Sequence, residues 1–386
     1  RNKNQVFITA ENHMYGDHQT YVVESQDGGT TFKRIQSKEF TGFAHVIRQD
    51  LVESNSLFLG TEMGLFISLD AGANWMRSKY QNIPWYALVR DLKISNSGDL
   101  AIATHGRGIY VMDNLSTLRR FAKTSPSESV VFYPVEPFRS EVAPQAPGSS
   151  ENLQGWTVSG KPVLPMMEYY LKEKSTQAVK IQLFDAKGNK IKDLNGSGNK
   201  GMNKVYWGLD QNPPKVAVGG FTAGSTVLFA SVIGPRAPIG TYKAVLTVGD
   251  IKKEQLVQLL ENPSAGFSAI QIQLLHTQAM RLFKLEEQLF YLSDSLDKQI
   301  SSLKKNAARN AKEESRLQEL EKFRAEIIET NRKTVFFDEF KYRRRLSDVY
   351  VAVCTALEPF SASKIGAIEA LEKEFGELQV RLKQLL

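Results

Sequence analysis

The stretch Ser25–Phe32, SQDGGTTF, returns as SLDAGANW at Ser68–Trp75, a spacing of 68 − 25 = 43 residues. Both copies read Ser-x-Asp-x-Gly-x-(Thr/Asn)-aromatic, and each follows a short apolar run, TYVVE and then GLFI. A third run, GIYVMDNL from Gly108, repeats the strand without the hairpin residues. A period of roughly 40 to 50 residues with several strands per repeat is the signature of propeller blades. Nine short strand-like runs before residue 120, from QVFITAE to GIYVMD, agree with that period. Three repeats make at most about two and a half blades, whereas closed propellers typically have about four to eight. An open run would leave sheet edges exposed, so the expectation is that further blades lie upstream and that this is the C-terminal part of a longer protein.

Beyond residue 120 the pattern changes twice. Residues 121–158 are rich in Pro, Ser and Glu (KTSPSES, EVAPQAPGSSE) and read as a connector holding one strand, VVFYPV. Residues 159–263 read as six or seven strands of an immunoglobulin-like β-sandwich without a disulfide, STVLFASV among them. The hairpin DAKGNK there calls for positive φ at Gly188 and Asn189. Along GTYKAVLTV, residues Tyr242, Ala244, Leu246 and Val248 share one face. Residues 264–386 carry apolar residues at helical spacing: Leu282-Leu285-Leu289-Leu292-Leu296-Ile300-Leu303, Leu346-Tyr350-Val353-Leu357, and Ile365-Ile368-Leu371-Phe375-Leu378-Leu382-Leu385. Pro359 stops one helix and Ser361 or Ser363 caps the next. Three or four antiparallel helices in a closed bundle are expected; an open coiled coil that dimerises is the competing arrangement. The predicted architecture is therefore multi-domain: propeller blades, sandwich, helical bundle.

Charge narrows the partners. The net charge is +7, but residues 1–120 hold 13 basic against 12 acidic groups and residues 264–386 hold 20 against 18. No segment concentrates basic charge, which argues against nucleic acid. No apolar run reaches the roughly 18 residues of a membrane span. The single cysteine, Cys354, lies in VYVAVCTALE and reads as a buried, inert thiol. The run KYRRRL, Lys341 to Leu346, reads as a solvated helix face or a contact for an acidic partner. No cofactor is called for.

The repeated hairpin is identified as the Asp-box of BNR repeats. Its chemistry suits a tight turn: Asp27 and Asp70 accept backbone N–H bonds, Gly29 and Gly72 take positive φ, and Phe32 and Trp75 pack between blades, with Ser25 and Ser68 opening each box. This reading makes the boxes structural staples. Together with LFLGTEMGLFISLDAGANW, LAIATHGRGIYVMDNLSTLR, VKIQLFDAKGNKI, MNKVYWGLD and GTYKAVLTV, they resemble the last blades, sandwich and tail of bacterial sortilin-like (VPS10-type) BNR proteins. Many of those carry the label glycosyl hydrolase. The resemblance implies an exported protein, periplasmic, outer-membrane-associated or extracellular, whose propeller presents a surface to a protein or glycan ligand. The sandwich and helical tail would then serve as docking modules, the tail toward a larger surface complex.

A glycoside hydrolase is the alternative, with its catalytic groups mainly upstream; an accessory subunit of a cell-surface complex is a further one. Hydrolysis needs two carboxylates about 5–5.5 Å or about 6.5–9.5 Å apart, for which Glu62, Asp17 and Asp91 are available. Glu62 in GTEMG and His105 and Arg107 in THGRG occupy equivalent places between two strands of successive repeats, a place that would face one end of the axial channel. Arg48 and Arg90, with Arg107, are the arginines available to hold a substrate carboxylate. His13, Asp17 and His18 in NHMYGDH have the residue types of a metal site, although loop polarity also accounts for them.

Overall fold

The computed structural model describes the chain except residues 1, 79–82, 85, 97, 124–126, 140–163, 218–225, 263–267, 307, 329–339, 357–360 and 386. Most of the 121–158 connector, Leu357 and Pro359 therefore lie outside the described residues. The chain divides into two compact units, Arg1–Glu128 and Ser129–Leu386.

The first unit is three consecutive antiparallel sheets. β1 (Val6–Asn12), β2 (Asp17–Ser25) and β3 (Lys33–Ile35) form the first. β4 (Ala44–Gln49), β5 (Leu57–Thr61), β6 (Gly64–Ser68) and β7 (Met76–Arg77) form the second. β8 (Val89–Ile94), β9 (Leu100–Thr104) and β10 (Ile109–Met112) form the third, followed by helix α1 (Ser116–Lys123). The middle sheet is covered on both faces, so β5 and β6 are buried at every residue instead of alternating. One face joins Val22 and Ile35 of the first sheet to Leu57, Leu59, Phe66 and Trp75. The other joins Phe58, Leu65 and Ile67 to Val89, Leu92, Leu100 and Ile102 of the third. The approach is close enough to dictate a residue type: a Cβ on Gly60 would lie 2.9 Å from the Val89 carbonyl oxygen and 2.8 Å from Val46 Cγ1.

In the second unit, β11 (Val130–Phe132), β13 (Met166–Leu171) and β16 (Gly201–Tyr206) make a three-stranded sheet. The five-stranded sheet runs β12 (Phe138–Arg139), β18 (Ile251–Leu260), β17 (Gly240–Val248), β14 (Val179–Phe184), β15 (Lys190–Gly196). Both contribute to one apolar core, with Met167, Tyr169 and Leu171 from one sheet and Ile181, Leu183, Ala244 and Leu246 from the other. Trp207 lies in the same core, its ring 5.0 Å from that of Tyr242 and its indole N–H donating to the Asp210 carbonyl. The DAKGNK hairpin departs from expectation in one respect: Gly188 takes positive φ and Asn189 does not. Asp185 instead accepts from the Lys187 and Asn189 amides, which fixes the turn around a single left-handed residue.

The helices are α2 (Thr226–Ala230), α3 (Ala269–Lys305), α4 (Ala311–Ile327), α5 (Tyr342–Cys354) and α6 (Ala362–Leu385). Capping boxes start α3 (Ser268 with Gln271) and α4 (Asn310 with Glu313). The leucine stripes of α3, α5 and α6 meet in one core inside the chain, with Leu317, Leu320 and Phe323 of α4 completing it. The helices thus close on one another within the chain. STVLFASV, expected as a strand, instead supplies α2: Val227 and Ala230, three apart on one helical face, are buried in the bundle core with Val216 and Ala217. Tertiary burial overrides the strand preference of Thr and Val here.

KYRRRL is not a solvated face. Tyr342 and Arg343 are buried, Arg343 donates to the Ala217 carbonyl, and Arg344 and Arg345 pair with Asp348 and Glu374. Between α3 and α5 the buried Glu286 accepts from the Ser347 hydroxyl. Burial pushes its carboxyl up to about 8 against the opposing pull of Ser347 and Arg343. Burial likewise raises the Cys354 thiol to about 12, so no thiolate forms at neutral pH.

Two outcomes are expected. A fragment of residues 264–386 loses α2, the Ala217 acceptor of Arg343 and the Ile233 acceptor of Tyr350, so it melts below a fragment of residues 129–386 by circular dichroism; equal melting would detach α2 from the bundle's stability. For Glu286 the folded value of about 8 lies above its ordinary 4.5, so the folded state binds the extra proton between them. Stability falls as pH rises across that window, by up to about 1.4 kcal/mol per unit from this group. Glu286→Gln keeps the Ser347 bond and is expected to flatten that decline in melts from pH 5 to 8.

Candidate functional site

The three sheets of the first unit have differently equipped ends. At one end are the hairpin turns β1–β2, β5–β6 and β9–β10. The last two are built alike: Glu62 N–H donates to the Phe43 carbonyl and His105 N–H to that of Leu88, each acceptor just preceding its sheet's first strand. The Thr61 and Thr104 hydroxyls both reach across the turn, to the Gly64 and Gly108 carbonyls. Glu62 and His105 thus hold the same place in successive sheets, and the 3-10 turn His13–Tyr15 holds the corresponding place in the first. β2 and β6 then run to the opposite end, where Ser25 and Ser68 begin the two Ser-x-Asp-x-Gly boxes.

Both boxes close by the same bonds. Ser68 Oγ accepts the Gly72 amide at 2.9 Å and donates to Asp70, which also accepts from the Asn74 amide and side chain. Ser25 Oγ accepts the Gly29 amide at 2.8 Å and donates to Asp27, which accepts from the Thr30 and Thr31 amides and the Thr31 hydroxyl. Gly29 and Gly72 have φ of 99° and 88°. The Thr31 hydroxyl, then its amide, hold Asp27 well below the usual carboxylate range. For Asp70 burial pushes upward, but the Asn74 and Ser68 bonds together outweigh it and the carboxyl is lowered. The aromatics differ. Trp75 is 6% exposed in the core between the first and second sheets, whereas Phe32 is 49% exposed and does not pack between sheets. A phenyl ring lacks the indole N–H that Trp75 uses to bond the Gly72 carbonyl.

At the turn end an ionisable cluster links the sheets. Glu11 on β1 lies 3.4 Å from His13 Nδ1 and 3.6 Å from Nδ1 of His45, which stands on β4. Arg90 on β8 reaches the same His45 nitrogen at 3.0 Å. Guanidinium can only donate, so Nδ1 accepts and the neutral ring carries its proton on Nε2. That Nε2 is buried without a hydrogen-bond partner among the described residues. Burial, then the Arg90 charge, pull the His45 pKa down, against Glu11 and Glu62. Phe43 anchors the group, stacked on His13 at 4.7 Å and edge-on to His45 at 4.9 Å. Glu62 borders Gly42, within 3.3 Å of where a Cβ there would stand.

The structure brings His13, Glu62 and Arg90 to this cluster. Glu11, Phe43 and His45, which the motifs do not mark, complete it; their signal is position beside the sheet's turn end rather than spacing within one motif. Asp17 is held apart: it accepts from the Tyr21 hydroxyl and the Gln19 amide, bonds that lower its pKa. Asp17 does not join His13 and His18 around a common point, and among the described residues no group of three His, Cys, Asp or Glu side chains is arranged to hold a metal. Arg48 bonds the Leu92 carbonyl and Asp91, and His105 and Arg107 stand exposed in the third sheet's turn.

No protein-family model matches this chain, and no curated protein matches it. Solved structures that align with it include the extracellular domain of a hybrid two-component system from B. thetaiotaomicron, at 10% identity over 63% of this chain and 30% of that one, with a TM-score of 0.23. An ancestral GH74 enzyme aligns at 12% identity over 67% and 34%, TM-score 0.23. YCF48 with a bound peptide aligns at 12% identity over 61% of each chain, TM-score 0.19. The chain thus spans between 30% and 61% of the length of these proteins. No helix among the described residues is long and apolar enough to cross a membrane.

The two box residues separate by experiment. Ser68 is fully buried and Asp70 exposed, so Ser68→Ala strands the Gly72 amide and costs roughly 1–3 kcal/mol. Asp70→Ala removes a cap-like contact worth about 0.5–2 kcal/mol. Urea unfolding of both variants checks the order; a larger loss for Asp70→Ala reverses it.

Proposed function

We propose that this chain is the C-terminal part of an exported binding and assembly protein of the sortilin-like BNR kind. In this reading residues 1–120 are the last blades of an Asp-box β-propeller, and their turn end presents a surface that binds a polypeptide or glycan. Residues 121–158 connect them to an immunoglobulin-like sandwich at 159–263 and a helical module at 264–386, both docking elements of a cell-surface complex. The observation that carries the reading is the division between the two ends of the sheets. One end is closed by boxes whose polar groups bond one another. The other holds charged groups from three sheets around His45, with Glu11 and Arg90 at its Nδ1 and its buried Nε2 without a hydrogen-bond partner among the described residues.

The electrostatics of the first unit's shifted carboxylates are those of fixed charge. The shifted carboxylates of the first unit, Asp17, Asp27 and Asp70, all move downward, which keeps charge fixed. A general acid for glycoside cleavage needs a carboxyl held upward. Glu286, the carboxyl raised among the described residues, is sealed in the helical core. The hydrolase reading draws its support from Glu11 and Glu62, both close enough to His45 to influence it.

On immobilised glycan and peptide panels the chain is expected to retain a ligand without releasing reducing sugar from soluble polysaccharides. Arg90→Ala should weaken that retention. Turnover that Glu62→Gln abolishes in a folded variant would replace the binding reading with the hydrolase one.

A further inference from the structure

We infer that the pocket between β2, β3 and the 36–42 loop binds an acidic polypeptide segment, extended along the free edge of β3 with a carboxylate against Arg34. The inference rests on the reading of the first unit as a binding module and names a ligand class and a place for it. The pocket has a volume of about 490 Å³ and is lined by Arg34, Lys38, His18 and neutral polar side chains, with no carboxylate in its lining.

Arg34 is oriented but not neutralised. Its guanidinium carbon lies 4.4 Å from the Tyr21 ring centroid, and its Nη2 donates to Gln19 Oε1 at 3.2 Å and the Thr20 carbonyl at 3.4 Å. Those acceptors are uncharged. Elsewhere in this unit Arg48, Arg119 and Lys123 each pair with a carboxylate. Among the described residues neither Arg34 nor Lys38 does; Asp17 contributes to Arg34 only at longer range, its oxygens taken by Tyr21 and Gln19. A guanidinium held in place by an aromatic face and two neutral acceptors is prepared for a fork of two bonds to an incoming carboxylate.

The edge favours a peptide over a glycan. β3 pairs with β2 through Val22–Ile35, Val23–Arg34 and Glu24–Lys33 and ends its sheet on the other side. An extended chain laid there gains main-chain hydrogen bonds, and a side chain opposite Arg34 on the same face stands about 5 Å from it at Cβ, within reach of its guanidinium. Sugar rings stack on open aromatic faces, but Phe40, the aromatic residue of the lining, packs edge-on against Trp75 at 5.2 Å and Phe66 at 5.7 Å.

The test is fluorescence anisotropy of the full chain with a short labelled peptide alternating Glu and Thr, its Gln-for-Glu counterpart, and alginate as an acidic glycan. Only the Glu peptide is expected to bind. Arg34→Gln should weaken it about tenfold and Lys38→Gln about threefold, in line with losing charge-assisted contacts. Lys312→Gln on α4 should leave it unchanged, and N-methylation of alternate peptide amides should remove it. Matching thermal melts of the variants establish that folding is intact. Equal binding of the Glu and Gln peptides, or wild-type affinity in Arg34→Gln, overturns the inference. Alginate binding without peptide binding overturns it in favour of an acidic glycan. Loss of all three probes while the Arg90-dependent ligand is still retained overturns this site and leaves the binding-module reading standing.

Discussion

Burial of the β5–β6 hairpin on both faces is the constraint from which the first unit follows. Leu57, Leu59 and Phe66 face one neighbouring sheet and Phe58, Leu65 and Ile67 the other. A hairpin in that position has no solvent side, so its strands read as unbroken apolar runs. Nor has it room to spare: the backbone of β5 meets the start of β8 where Gly60 stands, and a side chain there would separate the sheets. With the sheets fixed at this distance, residues far apart in sequence, Glu11, His45 and Arg90, come within ion-pair and hydrogen-bond reach.

Division of labour between the two ends is a consequence of the antiparallel strand. Each strand must begin at one end and finish at the other, so turn chemistry can differ between them. The box end relies on bonds between neighbours in sequence, such as Ser68 with Gly72 and Asp70, although Trp75 of the second box also packs against the first sheet. The turn end relies on contacts between sheets, with Phe43 as an apolar post among the imidazoles of His13, His18 and His45. Local bonds make a robust staple. Contacts drawn from three sheets make a surface whose charge pattern can be tuned one sheet at a time.

What could be read from the sequence follows the same line. The box bonds and the positive φ of Gly72 are local, so the motif alone announced them. The stripe from Leu282 to Ile300 was legible because helical burial repeats every three or four residues. The cluster at His45 was not, because no spacing within one strand encodes a partner 45 residues away. Phe32 misled because the motif specifies an aromatic without specifying its burial; only Trp75 has a ring N–H that bonds back into its own turn. STVLFASV and KYRRRL misled for a shared reason. Both touch the same helical core, through Val227 and Ala230 in one and Tyr342 and Arg343 in the other, and neither composition announces that contact.

The buried Glu286 makes the folding of the helical core a reaction with a proton among its reactants. Between the carboxyl's ordinary value and about 8, the unfolded chain is ionised at this residue and the folded one is not, so hydrogen ion is taken from the buffer as the helices close. The heat measured for that step then includes the ionisation enthalpy of whichever buffer gives up the proton. Phosphate and Tris would report different calorimetric enthalpies for the same packing of leucines, and the difference between them counts the protons that the core retains.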